Sequence, residues 1–306
     1  MATSTLNNLI GLIDIKKKAM TQIAACLARN QVFPNTLLWG PGGLGKTTVV
    51  RAIANDLGYH FEELQGGMLT AARQITQRLL DGQAVAKARR QKMILFIDEV
   101  QRLDVPMQEA LYYPMMEHRV MTATGSIAVE PFSTFAATTR PDKLDDPFKS
   151  RFGNIWELRP YSHHEMLQMV HNYFLRKGVD ATYQAIHELS GRTLGNARKA
   201  RQLADKVILY ANGSPQVTAE HVLEVCQDEG IDKMGLEPSH RRYMKVLHGS
   251  DRDVSLRTLS GAMGLHSDVI ANSVEPVLLR LGLIQLMPRG RSLTFKGEQH
   301  ILAGQV

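Results

Sequence analysis

Cysteine is nearly missing from this chain: Cys26 and Cys226 are the only two in 306 residues, with neither paired spacing nor a neighbouring Cys/His cluster. That scarcity excludes a disulfide framework and leaves a zinc site unsupported, and two lone thiols fit a reducing cytoplasm. Long apolar runs are missing as well, none approaching the roughly eighteen residues of a membrane-spanning helix. At the N-terminus a short apolar patch (Leu9, Ile10, Leu12, Ile13) precedes Lys16, Lys17 and Lys18, the reverse of the charge order in a secretory signal. No internal repeat and no low-complexity segment occurs.

What is present is apolar residue in quantity, 44% of the chain, enough to fill the cores of two or three domains. Basic residues number 36 against 30 acidic, interspersed, for a net charge of +6. The excess suits a nucleic-acid partner without requiring one. Helical periodicity over residues 12–29 is broken at Pro34, and residues 36–39 read as a short buried strand followed by a glycine-rich loop. Helices are predicted over residues 47–57 and 69–90. The five apolar residues Met93 to Ile97, closed by Asp98 and Glu99, have the form of a strand buried on both faces of a parallel sheet. Residues 132–137 are a third such strand, so the N-terminal part reads as an α/β domain with its ligand at the carboxyl ends of the strands.

From about Pro160 the pattern turns helical, with segments predicted over 165–176, 183–189, 197–210 and 219–226. Three shorter helices then follow (241–247, 256–263 and 267–281), ahead of two short strands, 283–286 and 293–295, on either side of Pro288-Arg289-Gly290-Arg291. Three helices and a hairpin describe a winged helix. The expected organisation is an α/β domain over 1–159, a small helical domain over 160–232, and a winged helix over 233–306.

Gly40-Pro41-Gly42-Gly43-Leu44-Gly45-Lys46-Thr47, continued by Thr48, fits the P-loop pattern and lies between a predicted strand and a predicted helix. Glycines let backbone N–H groups curl toward phosphate oxygens, and the helix N-terminus adds favourable partial charge. Lys46 is expected to reach the β and γ phosphates of ATP and Thr47 to offer its hydroxyl to Mg²⁺. Asp98 is placed to hold the same ion, and Glu99 to orient or deprotonate the attacking water.

These motifs, followed in order by Ala136-Ala137-Thr138-Thr139-Arg140, Ser150-Arg151-Phe152-Gly153 and Gly195-Asn196-Ala197-Arg198, resemble the motif set of AAA+ ATPases over most of the chain. Leu111-Tyr112-Tyr113-Pro114-Met115-Met116-Glu117 and Glu275-Pro276, with Leu281 to Gln285 and Pro288 to Arg291, narrow the resemblance to the RuvB family of Holliday-junction branch-migration ATPases. The resemblance implies an AAA+ fold with lid and winged helix, a homo-oligomeric ring, taken as a hexamer, and double-stranded or branched DNA as substrate. It puts Thr139 at sensor 1 and Arg151 at the arginine finger that completes a neighbouring subunit's site. It puts Arg198 at sensor 2 beside the γ-phosphate, with Arg201 close enough to compete for that role. Leu9, Ile10 and Gly11 match the segment that lines the adenine pocket, with Tyr161 closing it; plain apolar packing is the alternative for these four.

Two departures qualify the match. The predicted hairpin between Met116 and Phe132, with Gly125 near its tip, is shorter than the family pattern, where it docks the partner RuvA; a different recruiting protein is therefore expected. Lys87-Ala88-Arg89-Arg90-Gln91-Lys92 adds charge that reads either as a solvated helix end or as a DNA contact. In the wing, Arg289 and Arg291 are expected to project from the hairpin tip toward DNA phosphates. Arg280 is the only base on the expected recognition helix, which argues against strong base readout. Three functions follow: an ATP-driven DNA motor, an ATP-switched loader or recruiter without sustained movement, and a sequence-reading regulator.

Overall fold

The computed structural model describes residues 5–122, 125–250 and 252–303. They fall into two compact units divided after Tyr161. In the first, strands β1 (Thr36–Trp39), β2 (His60–Gln65), β3 (Met93–Asp98), β6 (Ser133–Thr138) and β7 (Asn154–Glu157) form a parallel sheet in the order β2-β3-β6-β1-β7. Between β3 and β6, β4 (Arg119–Thr122) and β5 (Gly125–Ala128) make a separate antiparallel hairpin.

The five apolar residues of β3 are each at most 1% exposed, as a doubly covered strand requires. Alternation sends Leu95 and Ile97 into a core with Ile75 and Leu79 of the helix Ala72–Ala88 and Leu111 and Met115 of the helix Val105–Glu117. Ile94 and Phe96 point the other way; Phe96 stacks on Phe61 at 5.7 Å between centroids. Each such side chain removed from water contributes about 1.5–3 kcal/mol.

Register decides what this core positions. Trp39 lies opposite Thr138 and Ile97 opposite Ala136, so the loops after β1, β3 and β6 leave the sheet at one edge. Strands β2 and β7 were not anticipated from the sequence. β2 carries Glu62 and Glu63, neutralised by Arg78 and Arg51, while β7 is a four-residue edge strand burying only Trp156.

In the second unit, the helix His163–Lys177 opens on a capping box from Ser162 and Glu165 and ends at left-handed Gly178. Helices Tyr183–Gly191, Ala197–Tyr210 and Ala219–Asp228 follow. Helices Pro238–His248, Leu256–Met263 and Glu275–Arg280 then enclose a core of Tyr243, Met244, Leu259, Ile270, Leu278 and Leu283, and β8 (Ile284–Met287) pairs antiparallel with β9 (Gly290–Leu293). The helix expected over 267–281 is interrupted by a π segment, Ile270–Val274, because Pro276 has no N–H for the carbonyl four residues back. Residues expected to end the second wing strand instead begin a helix, Phe295–Leu302, capped by Thr294. The earlier and later helices pack as parts of this one unit, with Lys199 paired to Glu237 and His300 to Asp232. No helix among the described residues is long and apolar enough to cross a membrane.

Candidate nucleotide and DNA sites

The loop Gly40 to Gly45 runs from the end of β1 into the helix Lys46–Leu57. Gly40 has φ +141, and a Cβ there would lie 2.3 Å from the Leu158 carbonyl oxygen, so no other residue fits. Gly45, at φ +90, is the residue before the helix and brings no side chain to its first N–H groups. The buried Lys46 ammonium donates to the carbonyls of Gly40 at 2.8 Å and Pro41 at 3.0 Å, holding a positive charge inside the curled loop. The hydroxyl of Thr47 donates to Oδ2 of Asp98 at 3.2 Å across the gap between loop and β3. A hydroxyl and a carboxylate facing each other beside a cationic loop are the hard oxygen donors that Mg²⁺ takes.

Glu99, just beyond β3, occupies the left-handed region at φ 53. A residue with a Cβ pays about 1–2 kcal/mol there, and the Asp98 carboxylate offsets part of it by accepting the Glu99 N–H at 2.9 Å. The turn aims Glu99 along the sheet edge toward β6. Gln101 stands between them: its amide nitrogen contacts a Glu99 carboxylate oxygen and the Thr139 hydroxyl at 3.3 Å, and its carbonyl oxygen accepts the Thr138 hydroxyl at 2.6 Å. Thr139 is thus brought to Glu99 through Gln101, a residue that sequence reasoning passed over. Its one signal was a polar side chain in the short turn after an acidic strand end.

Leu6 to Asn8 runs against the helix that follows the P-loop, the Leu6 N–H donating to Asp56 at 3.0 Å, and Lys16 ties down the Leu9 carbonyl at 2.7 Å. Leu9, Ile10 and Gly11 are half-buried in this segment. The Tyr161 hydroxyl donates to the carbonyl of Leu44 at 2.8 Å, fastening the chain after β7 to the P-loop itself.

Arg151 lies at the other end of the sheet. Thr36 is paired with Asn154, so Arg151, three residues earlier, precedes the amino end of β7 while the P-loop follows the carboxyl end of β1. There its guanidinium sits 5.2 Å from the Tyr112 ring centroid, and its buried Nε has no hydrogen-bond partner among the described residues. Phe148 supports the ring, its centroid 6.0 Å away.

In the second unit, Asn196 caps the helix Ala197–Tyr210 by accepting the N–H groups of Arg198 and Lys199, leaving the Arg198 side chain exposed on the first turn. Arg201 is instead drawn to Tyr173, 5.9 Å from its centroid.

The wing departs from expectation. Arg289 is exposed in the turn between β8 and β9, but Arg291 folds back, its Nε donating to Oε1 of Glu275 at 2.8 Å. Glu275 is 4% exposed and also accepts the Tyr243 hydroxyl at 2.8 Å, so burial fixes Arg291 in the body of the domain. Arg280, though exposed, is also engaged: it donates to the Leu194 carbonyl at 2.9 Å, in the turn ahead of Asn196. Lys92, at the basic stretch before β3, is held by the carbonyl and side chain of Asn30 at 2.6 and 2.8 Å.

Residues 1–158 match the family model described as the Holliday junction DNA helicase RuvB P-loop domain, and residues 233–302 match the RuvB C-terminal winged helix domain. The chain is 32% identical over 310 aligned residues to the Holliday junction branch migration complex subunit RuvB of Synechococcus sp., covering 97% of this chain and 88% of that one. Among solved structures, the Thermotoga maritima RuvB Holliday junction branch migration motor is similar with a TM-score of 0.85 and 28% identity, over 98% of this chain and 97% of that one. A point mutant of the same Thermotoga maritima protein gives a TM-score of 0.87 at 28% identity, over 98% of each chain.

Proposed function

The chain belongs to the RuvB family of Holliday junction helicases, and from that premise we propose that it is an ATP-hydrolysing motor that drives branch migration of Holliday junctions. The observation that carries this reading is the convergence of the P-loop, Asp98, Glu99 and Thr139 on one edge of the sheet. Gly40 to Thr48 bind the phosphates, Lys46 neutralises charge on the β and γ groups, and Thr47 with Asp98 would hold Mg²⁺, which screens the phosphate charge. Glu99 takes the proton of the attacking water, and Thr139 positions that water. Leu9, Ile10 and Gly11 line the adenine pocket and Tyr161 anchors the loop beneath it. The domains are assigned as 1–159, 160–232 and 233–306.

Arg151 lies beyond the amino ends of the strands, so it is suited to a neighbour's site rather than its own, as a ring, taken as a hexamer, requires. Arg198 takes the sensor 2 role in preference to Arg201, which is occupied with Tyr173. Double-stranded or branched DNA in the cytoplasm is the substrate, contacted in the wing through Arg289. The short β4–β5 hairpin, with Met121 and Ile127 exposed, favours a recruiting protein other than RuvA.

A synthetic four-way junction tests the motor against the loader. ATP-dependent dissociation of the junction is expected for the wild type. Lys46→Ala should lose nucleotide binding, and Glu99→Gln should keep binding and assembly but lose turnover, since only the second spares the phosphate cradle. DNA binding that responds to ATP without any junction movement would establish the loader instead.

A further inference from the structure

We propose that Gln101 is the positioning residue for Glu99, a carboxamide relay that carries the orientation of β6 to the water-activating carboxylate. The inference rests on the reading of Glu99 given above. The direction of the Gln101 amide is determined by the atoms around it. The Arg140 backbone N–H donates to the Thr138 hydroxyl oxygen at 2.9 Å, so that hydroxyl is free to point its own hydrogen elsewhere. It points it at Gln101 Oε1, 2.6 Å away. Thr138 is fully buried, leaving water no part in the choice.

With the carbonyl end of the amide so engaged, the NH₂ end must face Glu99 and Thr139, and each of its two hydrogens has one acceptor. Gln101 thereby occupies one oxygen of the Glu99 carboxylate and leaves the other for water. It also occupies the acceptor side of the Thr139 hydroxyl, so that the hydroxyl hydrogen is turned outward. The carboxylate stands on a left-handed residue just past the strand end, and a hydrogen-bonding partner there holds it in one orientation. Gln101 itself sits in the turn Val100–Arg102, whose Val100 is completely buried, so the relay has a rigid base.

The test compares DNA-stimulated ATPase activity of the full chain with Gln101→Met, which keeps side-chain length but has no amide, Gln101→Glu, Thr138→Val and Glu99→Gln. Gln101→Met is expected to lower kcat roughly ten- to a hundredfold, a part of what general-base catalysis supplies, with KM for ATP within about twofold because the phosphate cradle is untouched. Gln101→Glu, which sets a second carboxylate against Glu99 in place of the donor, should lower kcat at least as far. Thr138→Val should lower kcat in the same direction, and the double variant Gln101→Met/Thr138→Val should be no worse than Gln101→Met alone, since both changes break one relay. Thr138→Ser, which retains the hydroxyl, should restore the wild-type rate. Wild-type kcat in Gln101→Met, or strictly multiplicative losses in the double variant, would overturn the relay. Turnover by Glu99→Gln would overturn the reading of Glu99 itself, so the two failures are separable.

Discussion

The guanidinium of Arg291 and the carboxylate of Glu275 form a pair inside the winged helix, 2.8 Å from Nε to Oε1, with Glu275 only 4% exposed. Tyr243, buried beside them, gives its hydroxyl to the same carboxylate oxygen. Burial first, and then that hydrogen bond to Glu275, push the Tyr243 phenol well above its ordinary range, while the bond to Glu275 raises Arg291 further. A residue two positions from an exposed hairpin turn is in this way a structural element of the domain.

Arg291→Ala is therefore expected to cost on the order of 3 kcal/mol of stability in the C-terminal unit, because it leaves an unpaired carboxylate in an apolar surround. Glu275→Gln, which keeps a hydrogen-bonding group for Tyr243, should cost less. Denaturant melts read both effects; a melt unchanged by Arg291→Ala would show that the pair contributes nothing.

Arg289→Ala should behave in the opposite way. Folding is expected to be untouched, while affinity falls about equally for unrelated duplex sequences and the slope of log affinity against log salt drops by about one. Equal slopes for wild type and variant would place the DNA away from the wing.

Mixing tests the role of Arg151 in a neighbour's site. A ring containing both Arg151→Ala and Glu99→Gln subunits has some interfaces where an intact Glu99 meets an intact Arg151, so part of the ATPase activity should return. If mixed rings form and every ratio is as inactive as its parents, Arg151 does not act in trans.

His240 makes the C-terminal unit sensitive to acid. Burial pushes its imidazole down to about 4, and its Nδ1 accepts the Glu237 N–H at 3.1 Å, an arrangement that requires the neutral ring. Because the folded value lies below the unfolded value of about 6.5, the unfolded chain binds more protons in the window between them. Stability should be fully present above about pH 6.5 and fall as pH drops toward 4, by on the order of 3 kcal/mol in all. His240→Asn, which offers an oxygen in place of Nδ1, should flatten that slope; a wild-type stability independent of pH across the window would contradict the assignment.

Much of this protein could be read from residue order because its phosphate chemistry depends on local geometry. Gly40 to Thr47 can form only one kind of turn between a strand and a helix, and five apolar residues ending in Asp98 and Glu99 can be little else than a buried strand delivering two carboxylates. Short, half-exposed or charged elements were less legible. β7 buries one side chain in four, and the acidic residues of β2 look like a solvated loop until Arg51 and Arg78 are seen against them.

The amino-acid sequence by itself determined the nucleotide loop, the order of the motifs and the alternation of buried segments, because each of these depends on neighbours a few residues apart. Tertiary structure decided which polar side chains are spoken for. Arg291 and Arg280 carry the same charge as Arg289, and only packing shows that Glu275 holds the first and the Leu194 carbonyl the second. Gln101 and Thr138 are separated by 37 positions, and no local rule joins them. They meet because β3 and β6 are hydrogen-bonded neighbours in one register, and a buried hydroxyl must find its acceptor across that boundary.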